Sequence, residues 1–341
     1  MTLPSCFDRY RAEVDAELRS SLAGYRSPMY DMLRYHMGWI DEKGNPLSGA
    51  AGKALRPTLC LLACESAGSD YRRTLPAAAA IELIHNFSLI HDDVQDDDRE
   101  RRHRPTVWSL WGKPQAINAG TAMRVVASLT MLRLDEGGIP VQKLLRAQRL
   151  LDESCLRLIE GQYLDISFEN RLDVGVSDYL AMIEGKTASL ISSALEIGAL
   201  LGSDDEGFVR ALRLFGLNLG FAFQIRDDVL GIWGSGEKTG KPVGSDIWRR
   251  KKSLPIVHAF ERAEGPARAA LVAIYGGEAI DGAAVDRVLS ILEEVDAEGE
   301  AQQMAARYCD RALGELAKAD LSPWAVDCLQ EMAHFLTERD F

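Results

Sequence analysis

The chain has 341 residues, of which 47% are hydrophobic and 26% are charged, a composition typical of a globular protein with a large core. Its formal net charge of −12 argues against nucleic acid as a general partner, because phosphate backbones bind to basic surfaces. Small phosphorylated ligands, which need only a local cluster of cations, are not excluded. We expect neither a membrane span nor a signal peptide, since no apolar run reaches roughly 18 residues and the N-terminal segment is charged early.

The predicted secondary structure is almost entirely helical. Apolar residues recur at helical spacing, and no alternating strand pattern is convincing. Turn-rich stretches at residues 41–52, 136–140 and 234–246 separate about ten or more helices. No change of composition marks a boundary between domains. We therefore predict an all-α fold in which residues 1–341 form a single large helical-bundle domain.

The six cysteines, at positions 6, 60, 64, 155, 309 and 328, form no CxxC pair. Cys60 and Cys64 lie one helical turn apart in apolar sequence. This pattern predicts buried reduced thiols rather than disulfides or a zinc site, and hence a cytoplasmic protein.

The first candidate binding residues in chain order are cations and a histidine. Lys53 and Arg56 in GKALRP are three residues apart, so they share one face if the segment is helical. In the apolar segment that follows, His85 stands two helical turns before Asp92. It either faces the same cavity as the aspartates or is a satisfied core histidine.

An acidic run ends this apolar helix. In LIHDDVQDDDRERRHRPTVW, residues 89–108, Asp92 and Asp96 stack one turn apart while Asp93 lies about 100° to the side. Carboxylates this close repel one another, a cost that a divalent cation removes. Oxygen ligands without cysteine suit Mg²⁺, which binds a few carboxylates together with substrate phosphates. A solvated acidic surface is the alternative for this run taken alone.

A second acidic pair echoes the first. QIRDDVLG at residues 224–231 resembles LIHDDVQD at residues 89–96, and each follows a long apolar helix. Helices of a bundle can aim carboxylates into one cavity, as metal-carrying bundles do. The repetition favours metal binding over a solvated surface. The candidate ligands are Asp92, Asp93, Asp96, Asp227 and Asp228.

Cationic residues near these pairs suit a phosphorylated ligand. Arg101 and Arg102 follow the first acidic set, and arginine can bind phosphate in bidentate fashion. Three lysines, each more typical of a solvated surface when taken alone, are Lys186, Lys241 and Lys251. The glycine-rich loop around Lys241 is not a Walker A motif, because Ser235 and Pro242 break that pattern.

Together these segments resemble the trans-isoprenyl diphosphate synthase (polyprenyl synthetase) family, most of all its geranylgeranyl diphosphate synthases. HNFSLIHDDVQDDDRERRHRPTVW resembles the first aspartate-rich motif of the family, and FQIRDDVLGIWG with TGKPVGSDIWRRKKSLP resembles the second. GKALRP, EGQYLD, EGKTASL and the C-terminal FLTERDF resemble further segments. The resemblance covers nearly the whole chain.

The resemblance implies an isoprenoid synthase bundle around a deep apolar cavity, normally a homodimer. It implies a prenyltransferase that condenses isopentenyl diphosphate with dimethylallyl, geranyl or farnesyl diphosphate by ionisation and condensation. About three Mg²⁺ ions per active site are expected from the family. Metal and cations would stabilise the departing diphosphate, so no Ser, Cys or His nucleophile is needed.

The resemblance also implies roles for individual residues. Mg²⁺ would be bound by Asp92, Asp93, Asp96, Asp227 and Asp228. The allylic diphosphate would contact Arg101, Lys186, Lys241 and Lys251. Isopentenyl diphosphate would be held by Lys53, Arg56, His85 and Arg102, together with Arg339. The reacting region would be lined by Thr187 and Gln224, and Asp165 would orient nearby cations.

Product length is predicted from the helix before Asp92. Ser88 lies one turn before the aspartate, with Phe87 to its side, and a bulky aromatic there would act as a floor for the growing chain. Family members that make fifteen-carbon products commonly have aromatics at both positions, or one aromatic and an insertion in the motif. The combination of Phe87, small Ser88 and no insertion resembles synthases that make the twenty-carbon geranylgeranyl diphosphate.

Four positions depart from the family pattern. Gly231 stands where the second motif often has a third aspartate, and His103 stands where glycine is usual. Thr121 replaces a common aspartate, and Ser235 a frequent acidic residue. These departures do not remove the groups needed for diphosphate ionisation.

Two other functions are compatible with these motifs. A class I terpene cyclase ionises a prenyl diphosphate without isopentenyl diphosphate, so it has no need for the second basic set that includes Arg56 and Arg102. A non-catalytic modulatory subunit should lose acidic residues of the first motif, and all three are present. Both features favour the synthase.

Overall fold

The computed structural model describes residues 4–47, 54–234, 244–277 and 279–338. Its first helices are α1 (Ser5–Leu22), α2 (Met29–His36), α3 (Leu55–Ser66), α4 (Leu75–Gln95), α5 (Val107–Trp111), α6 (Lys113–Leu132), α7 (Val141–Phe168) and α8 (Val176–Ile183). The later ones are α9 (Ser189–Gly202), α10 (Glu206–Trp233), α11 (Ser245–Trp248), α12 (Leu254–Arg262), α13 (Gly265–Tyr275), α14 (Gly282–Glu294), α15 (Ala297–Leu316) and α16 (Pro323–Glu338). Two short strands, β1 (Glu100–Arg101) and β2 (Arg104–Pro105), pair antiparallel. The prediction of an all-α fold is confirmed.

The chain divides into two compact units. The N-terminal unit comprises Ser5–Glu153 and Ser193–Val209, and the C-terminal unit comprises Met1–Pro4, Ser154–Ser192 and Arg210–Phe341. The boundaries fall within α7, α9 and α10. The prediction of one domain over the whole chain stays a prediction.

Helix α4 packs against α1, α3 and α6 in the N-terminal unit. Pro76 stands in its first turn, where a backbone N–H has no helical partner to lose. The alanines Ala77–Ala80 allow neighbouring helices to approach closely, and they are almost completely buried together with Ile81 and Ile84. The apolar part of α4 is therefore a core element, and its acidic C-terminal turn is fixed to that core.

The C-terminal unit contains two apolar clusters around α10. One includes Tyr179, Ile225 and Leu254, and the other includes Ile232 and Ile256. Helix α10 is long and apolar enough to cross a membrane, but 61% of its most apolar window is buried within the protein. Core helices of soluble proteins pass the same test, so this is weak evidence for a span. The six cysteines are buried thiols, as predicted.

Candidate active-site residues

The first acidic set lies at the C-terminus of α4. Asp92 and Asp93 are in its last turn, and Asp96 follows as the C-terminal cap, with its N–H donating to the Asp92 carbonyl at 2.8 Å. Asp93 is buried, Asp92 is half-buried and Asp96 is exposed. The unpaired carbonyl groups of a helix C-terminus carry partial negative charge, which adds to that of the carboxylates and favours a cation.

Asp93 is a buried ionisable group beside other charged residues. Its side chain is 1% exposed; Oδ1 accepts a hydrogen bond from Arg101 Nε at 2.7 Å, while Oδ2 is buried without a hydrogen-bond partner. Burial raises the pKa of Asp93 to about 6, although the Arg101 guanidinium acts in the opposite direction. The carboxylate thus has one oxygen oriented by arginine and one oxygen able to accept a further ligand.

Arg101 and Arg102 are held by the β1–β2 hairpin. Its turn residues Arg102 and His103 have φ values of 53° and 60°, a left-handed conformation that favours glycine and asparagine. The hairpin is anchored by Tyr35, whose hydroxyl donates to the Pro105 carbonyl at 2.8 Å, and by Arg104, which donates to the carbonyls of Tyr35 and Ile40. The anchors hold Arg102 in a strained turn.

Thr106 and Trp108, which follow the hairpin, have a structural role that the sequence did not reveal. Thr106 Oγ1 and Trp108 Nε1 both donate to the Asp98 carbonyl at 2.8 Å. They close the loop that connects Asp93 with Arg101.

A second basic group surrounds His85. Burial lowers the pKa of His85 well below its usual value, and the positive charges of Arg56, Arg102 and Arg101 lower it further. His85 is therefore neutral and lies in a positive electrostatic environment, as an anion site requires. Lys53, which the sequence assigns to this group, lies outside the described residues.

Glu82 is a candidate that sequence reasoning missed. It is 5% exposed; Asn86 Nδ2 donates to its Oε1 at 3.2 Å, while Oε2 is buried without a hydrogen-bond partner. Burial raises the pKa of Glu82, whereas Arg56 and Arg102 lower it. The available signal was a lone carboxylate in the apolar part of α4, before the acidic pair begins at Asp92.

The two residues predicted to set product length are buried in α4. Ser88 Oγ donates to the His85 carbonyl at 2.8 Å, so this small side chain folds back onto its own helix. The Phe87 ring packs edge-on against the His91 ring, with centroids 5.7 Å apart. Phe87 therefore has an aromatic side chain packed against a neighbouring ring, whereas the Ser88 side chain fills little volume.

In the C-terminal unit, Lys186 and Thr187 lie on a π-helical turn, Glu184–Ala188. Such turns are rare and occur frequently at functional sites. Gly161 of EGQYLD explains how the turn is accommodated, because a Cβ atom there would lie 2.1 Å from the Lys186 backbone nitrogen. The glycine thus permits close packing of α7 on the turn.

These two side chains are both oriented by hydrogen bonds. Lys186 pairs with Asp165, and Thr187 Oγ1 donates to Gln224 Oε1 at 2.7 Å. Burial alone would raise the pKa of Asp165, but the nearby Lys186 and Lys251 hold it below its usual value. Asp165 thus pairs with Lys186, and its role in orienting cations at the active site stays a prediction.

The second acidic pair has two different environments on α10. Asp228 is 1% exposed and accepts hydrogen bonds from Gln224 and Lys251 as well as from two groups with no predicted role, the Tyr179 hydroxyl and the Leu254 N–H. Asp227 is only half-buried. Sequence reasoning missed Tyr179, since nothing in the motif around it indicated a polar partner.

Asp246 explains why the second motif has Gly231 where the family often has a third aspartate. A Cβ atom on Gly231 would lie 2.4 Å from Asp246 Oδ2, so the Asp246 carboxylate occupies the space beside this glycine. Asp246 Oδ2 also lies 3.7 Å from Lys251 Nζ. Burial alone lowers the pKa of Lys251, but Asp228, Asp246 and Asp165 raise it well above its usual value.

The acidic and basic candidates are distributed over both units. Asp92, Asp93 and Asp96 belong to the N-terminal unit, and Asp227 and Asp228 belong to the C-terminal unit. That both sets serve one cavity stays a prediction. Lys241 and Arg339 lie outside the described residues.

The donor set suits Mg²⁺. Within the ranges that the structure describes, no three or more His, Cys, Asp or Glu side chains form a preassembled metal cage. Mg²⁺ does not require one, because it retains waters and binds through one or two carboxylates plus substrate phosphates. The free Oδ2 of buried Asp93, with Asp92 beside it at the helix C-terminus, fits that mode of binding.

Comparison with known proteins gives matches that cover most of the chain. The Polyprenyl synthetase family model matches residues 38–292. The chain is 38% identical to a (2E,6E)-farnesyl diphosphate synthase from Mycobacterium bovis, over 91% of this chain and 86% of that protein. It is 39% identical to a geranylgeranyl diphosphate synthase from Mycobacterium tuberculosis, over 93% and 89% of the two chains. The crystal structure of a polyprenyl synthetase from Streptomyces coelicolor A3(2) superposes with a TM-score of 0.89 at 38% identity, covering 97% of this chain and 98% of that one.

Proposed function

The chain belongs to the polyprenyl synthetase family and is a prenyltransferase, and on that premise we propose that it extends an allylic diphosphate with isopentenyl diphosphate to geranylgeranyl diphosphate. The observation that carries the proposal is the buried Asp93 paired with Arg101, in the same unit as the cationic group of Arg56 and Arg102 around His85. One group suits a metal-bound diphosphate, and the other suits a second anion.

The allylic diphosphate is assigned to the part of the site that contains the aspartates. Asp92, Asp93 and Asp96, with Asp227 from the second pair, would hold Mg²⁺, and the role of Asp228 as a ligand stays a prediction. Bound Mg²⁺ would neutralise charge on the leaving diphosphate. Arg101, Lys186, Lys241 and Lys251 would bind the diphosphate oxygens directly.

Isopentenyl diphosphate is assigned to the second basic group. Arg56 and Arg102 would pair with its diphosphate, together with Lys53 and Arg339. Neutral His85 would donate a hydrogen bond without adding a further charge to a buried cluster of arginines. Glu82 would balance part of that positive charge.

The reaction needs no protein nucleophile. The allylic C–O bond breaks with its electron pair passing to diphosphate, and the isopentenyl double bond supplies the electrons for the new C–C bond. The released diphosphate takes the proton that the adduct loses. Thr187 and Gln224, joined by a 2.7 Å hydrogen bond, would line this region, and apolar side chains would exclude water from the cation.

A direct assay tests the proposal. Purified protein is incubated with Mg²⁺, isopentenyl diphosphate and dimethylallyl, geranyl or farnesyl diphosphate, and products are identified by mass spectrometry. We expect elongation that stops at twenty carbons, and no turnover with a chelator. Asp93→Asn should lower turnover by about 100-fold or more, whereas the exposed Asp320→Asn serves as the matched control.

The assay also separates the rival functions. Release of a hydrocarbon or alcohol without isopentenyl diphosphate would identify a cyclase and overturn the proposal. Absence of turnover, combined with a changed product from an added active synthase, would identify a modulatory subunit.

We further propose that the chain forms a homodimer in the cytoplasm. Ile117, Val125, Leu129 and Leu132 lie on one face of α6 and are each 47–52% exposed. An exposed apolar stripe of this length is typical of a protein interface. The family expectation of a homodimer makes a second copy the proposed occupant.

Light scattering after size-exclusion chromatography tests this assembly. The expected mass is twice the 37.6 kDa of one chain, and Leu129→Glu should shift it towards one chain. Val272→Glu, at a 40% exposed apolar residue of α13, is the control and should leave the mass unchanged. A monomeric wild-type chain would contradict the assignment.

A further inference from the structure

Lys252 is a buried lysine that contacts different groups from its neighbour Lys251. Lys251 Nζ lies 3.3 Å from Asp228 Oδ1 and 3.7 Å from Asp246 Oδ2. Lys252 is only 3% exposed, and its Nζ donates to the Glu169 carbonyl at 3.1 Å. Both lysines lie in the connection between α11 and α12. One of them therefore joins this connection to the second acidic pair, and the other joins it to α7.

The contacts of Lys252 come from the ends of two helices. Glu169 directly follows α7, whose last carbonyl groups have no partner within the helix and carry partial negative charge. Lys252 Nζ also lies 5.0 Å from the centroid of the Tyr275 ring at the end of α13, within the range of a cation–π interaction. Tyr275 is 3% exposed, and Phe260 of α12 packs edge-on against its ring with centroids 5.4 Å apart. The Lys252 ammonium group thus joins the end of α7 to a fixed aromatic ring.

A lysine in this position is unfavourable for stability. Burial lowers the pKa of Lys252 to about 8, although Glu169 acts in the opposite direction. Most of the amine is still charged at neutral pH, so folding removes an ammonium group from water. An apolar side chain of similar length would avoid that desolvation. The stability of the fold therefore gives no reason for a lysine here.

The contact with Glu169 connects two charged groups of the candidate site. Asp165 lies one helical turn before Glu169 on α7, and its carboxylate pairs with Lys186. Asp165 and Lys251 are close enough for their charges to interact. The bond from Lys252 to Glu169 therefore links the turn that carries Asp165 to the residue beside Lys251.

We propose that Lys252 is a positioning residue for the allylic diphosphate. It holds Lys251 and Asp165 at their present separation, because it ties the α11–α12 connection to the end of α7 and to Tyr275. This inference rests on the proposed function of the site. Its consequence is that replacing Lys252 weakens binding of the allylic diphosphate without weakening the fold.

Lys252→Met in the full chain tests the inference, since it keeps a side chain of similar length and removes the charge and the donor. Steady-state kinetics should show a KM for the allylic diphosphate raised by about tenfold, because Lys251 is no longer held in place. The KM for isopentenyl diphosphate should stay within about twofold, since Arg56, His85 and Arg102 belong to the N-terminal unit. The urea midpoint of unfolding should equal or exceed that of the wild type.

Lys252→Arg is the conservative variant. It keeps a positive charge and donors that can reach a carbonyl group and stack on an aromatic ring. The allylic KM should therefore return to within about threefold of the wild type.

Tyr275 provides a second, matched pair of variants. Tyr275→Phe keeps the ring and removes a hydroxyl that has no hydrogen-bond partner among the described residues, so the allylic KM should stay within about twofold. Tyr275→Leu removes the ring, and the allylic KM should rise by about threefold. Equal effects of the two substitutions would contradict a role for the ring in holding Lys252.

Calorimetric titration with inorganic diphosphate in the presence of Mg²⁺ gives a readout that does not depend on turnover. Weaker diphosphate binding by Lys252→Met, with the urea midpoint retained, supports the inference. Unchanged diphosphate binding overturns it. A rise of both KM values together with a lower urea midpoint also overturns it, because that pattern indicates a general structural role. A wild-type chain that is inactive with all three allylic diphosphates would refute the proposed function, while the titration would still decide the role of Lys252.

Discussion

Replacing Gly231 with alanine should push the Asp246 carboxylate out of place. The added Cβ atom would lie 2.4 Å from Oδ2 and 2.6 Å from Cγ of Asp246, distances that packed atoms cannot keep. Asp246 is 8% exposed and its Oδ2 lies 3.7 Å from Lys251 Nζ, so displacing Asp246 disturbs a partly buried ion pair. Overpacking of this kind costs about 1–3 kcal/mol of unfolding free energy.

Gly314→Ala is the control for Gly231→Ala, because it has the same change in helix propensity without the overpacking. Alanine is more favourable than glycine inside a helix by about 1 kcal/mol. Gly314 on α15 has open space where its Cβ would lie, so Gly314→Ala should gain that amount in full. The difference between the two variants in unfolding free energy should therefore be about 1–3 kcal/mol.

Gly231→Asp extends the prediction to function. The new carboxylate would stand beside Asp246, and two like charges about 4 Å apart repel by about 4 kcal/mol at an effective dielectric constant of about 20. Restoring the family aspartate should thus destabilise the protein and lower activity.

Urea unfolding followed by circular dichroism at neutral pH measures all three variants. If Gly231→Ala gains as much stability as Gly314→Ala, the account of Asp246 is wrong. A stable Gly231→Asp variant with tighter Mg²⁺ binding would refute it as well.

Four further changes test separate parts of the structure. Ser88→Phe should shorten the product from twenty to fifteen carbons, because it places a second aromatic in α4 next to Phe87; mass spectrometry measures the product. His103→Gly should raise the unfolding free energy by about 1 kcal/mol without changing turnover, since it relieves a residue with a φ of 60°. Glu82→Gln should lower the KM for isopentenyl diphosphate severalfold while the allylic KM stays within about twofold, because removing the negative charge of Glu82 strengthens the positive potential that Arg56 and Arg102 present to an anion. His36 should make the protein less stable in acid: burial, followed by Arg102 and Arg101, lowers its pKa to about 3. Its protonation therefore opposes folding, and stability is lost as the pH falls from about 6.5 towards 3, by up to about 4 kcal/mol more than in His36→Gln.

Each of these four predictions has an opposing result. An unchanged product in Ser88→Phe would exclude this position as the floor. His103→Ala keeps the strained backbone and should not gain stability; an equal gain in both variants would remove strain as the cause. Equal changes in both KM values for Glu82→Gln would indicate a general structural role. Parallel pH profiles of wild type and His36→Gln would show that His36 does not titrate as described, and His334→Gln on the surface is the control.

Much of the site could be predicted from the chain alone, because its signals are local. The 3.6-residue periodicity of α4 and α10, the acidic pairs after them and the arginines beyond Asp98 are all readable over a few turns of helix. Residue chemistry then indicated Mg²⁺ and diphosphate, because clustered carboxylates bind Mg²⁺ and nearby arginines bind phosphate oxygens.

The environments of individual side chains could not be predicted in this way. Spacing places Asp227 and Asp228 about 100° apart on α10 but does not tell which of them is buried. That is decided by Tyr179 and Leu254, which lie 49 and 26 residues from Asp228 along the chain and donate to it only because α8 and α12 pack beside α10. The identity of Gly231 has the same kind of cause, as Asp246 occupies the neighbouring space.

The sequence by itself therefore determined the helical class, the family and the chemical groups available for catalysis, because these follow from residue types and short spacings. Only the tertiary structure decided which carboxylates keep an oxygen without a hydrogen bond and which have hydrogen-bond donors on both oxygens. Asp93 keeps one oxygen without a hydrogen bond, whereas Asp228 has both oxygens occupied. The physical reason is that segments distant in sequence bury each side chain and supply its hydrogen-bond partners. Burial and these partners together set the protonation state of the group and its ability to bind a further ligand.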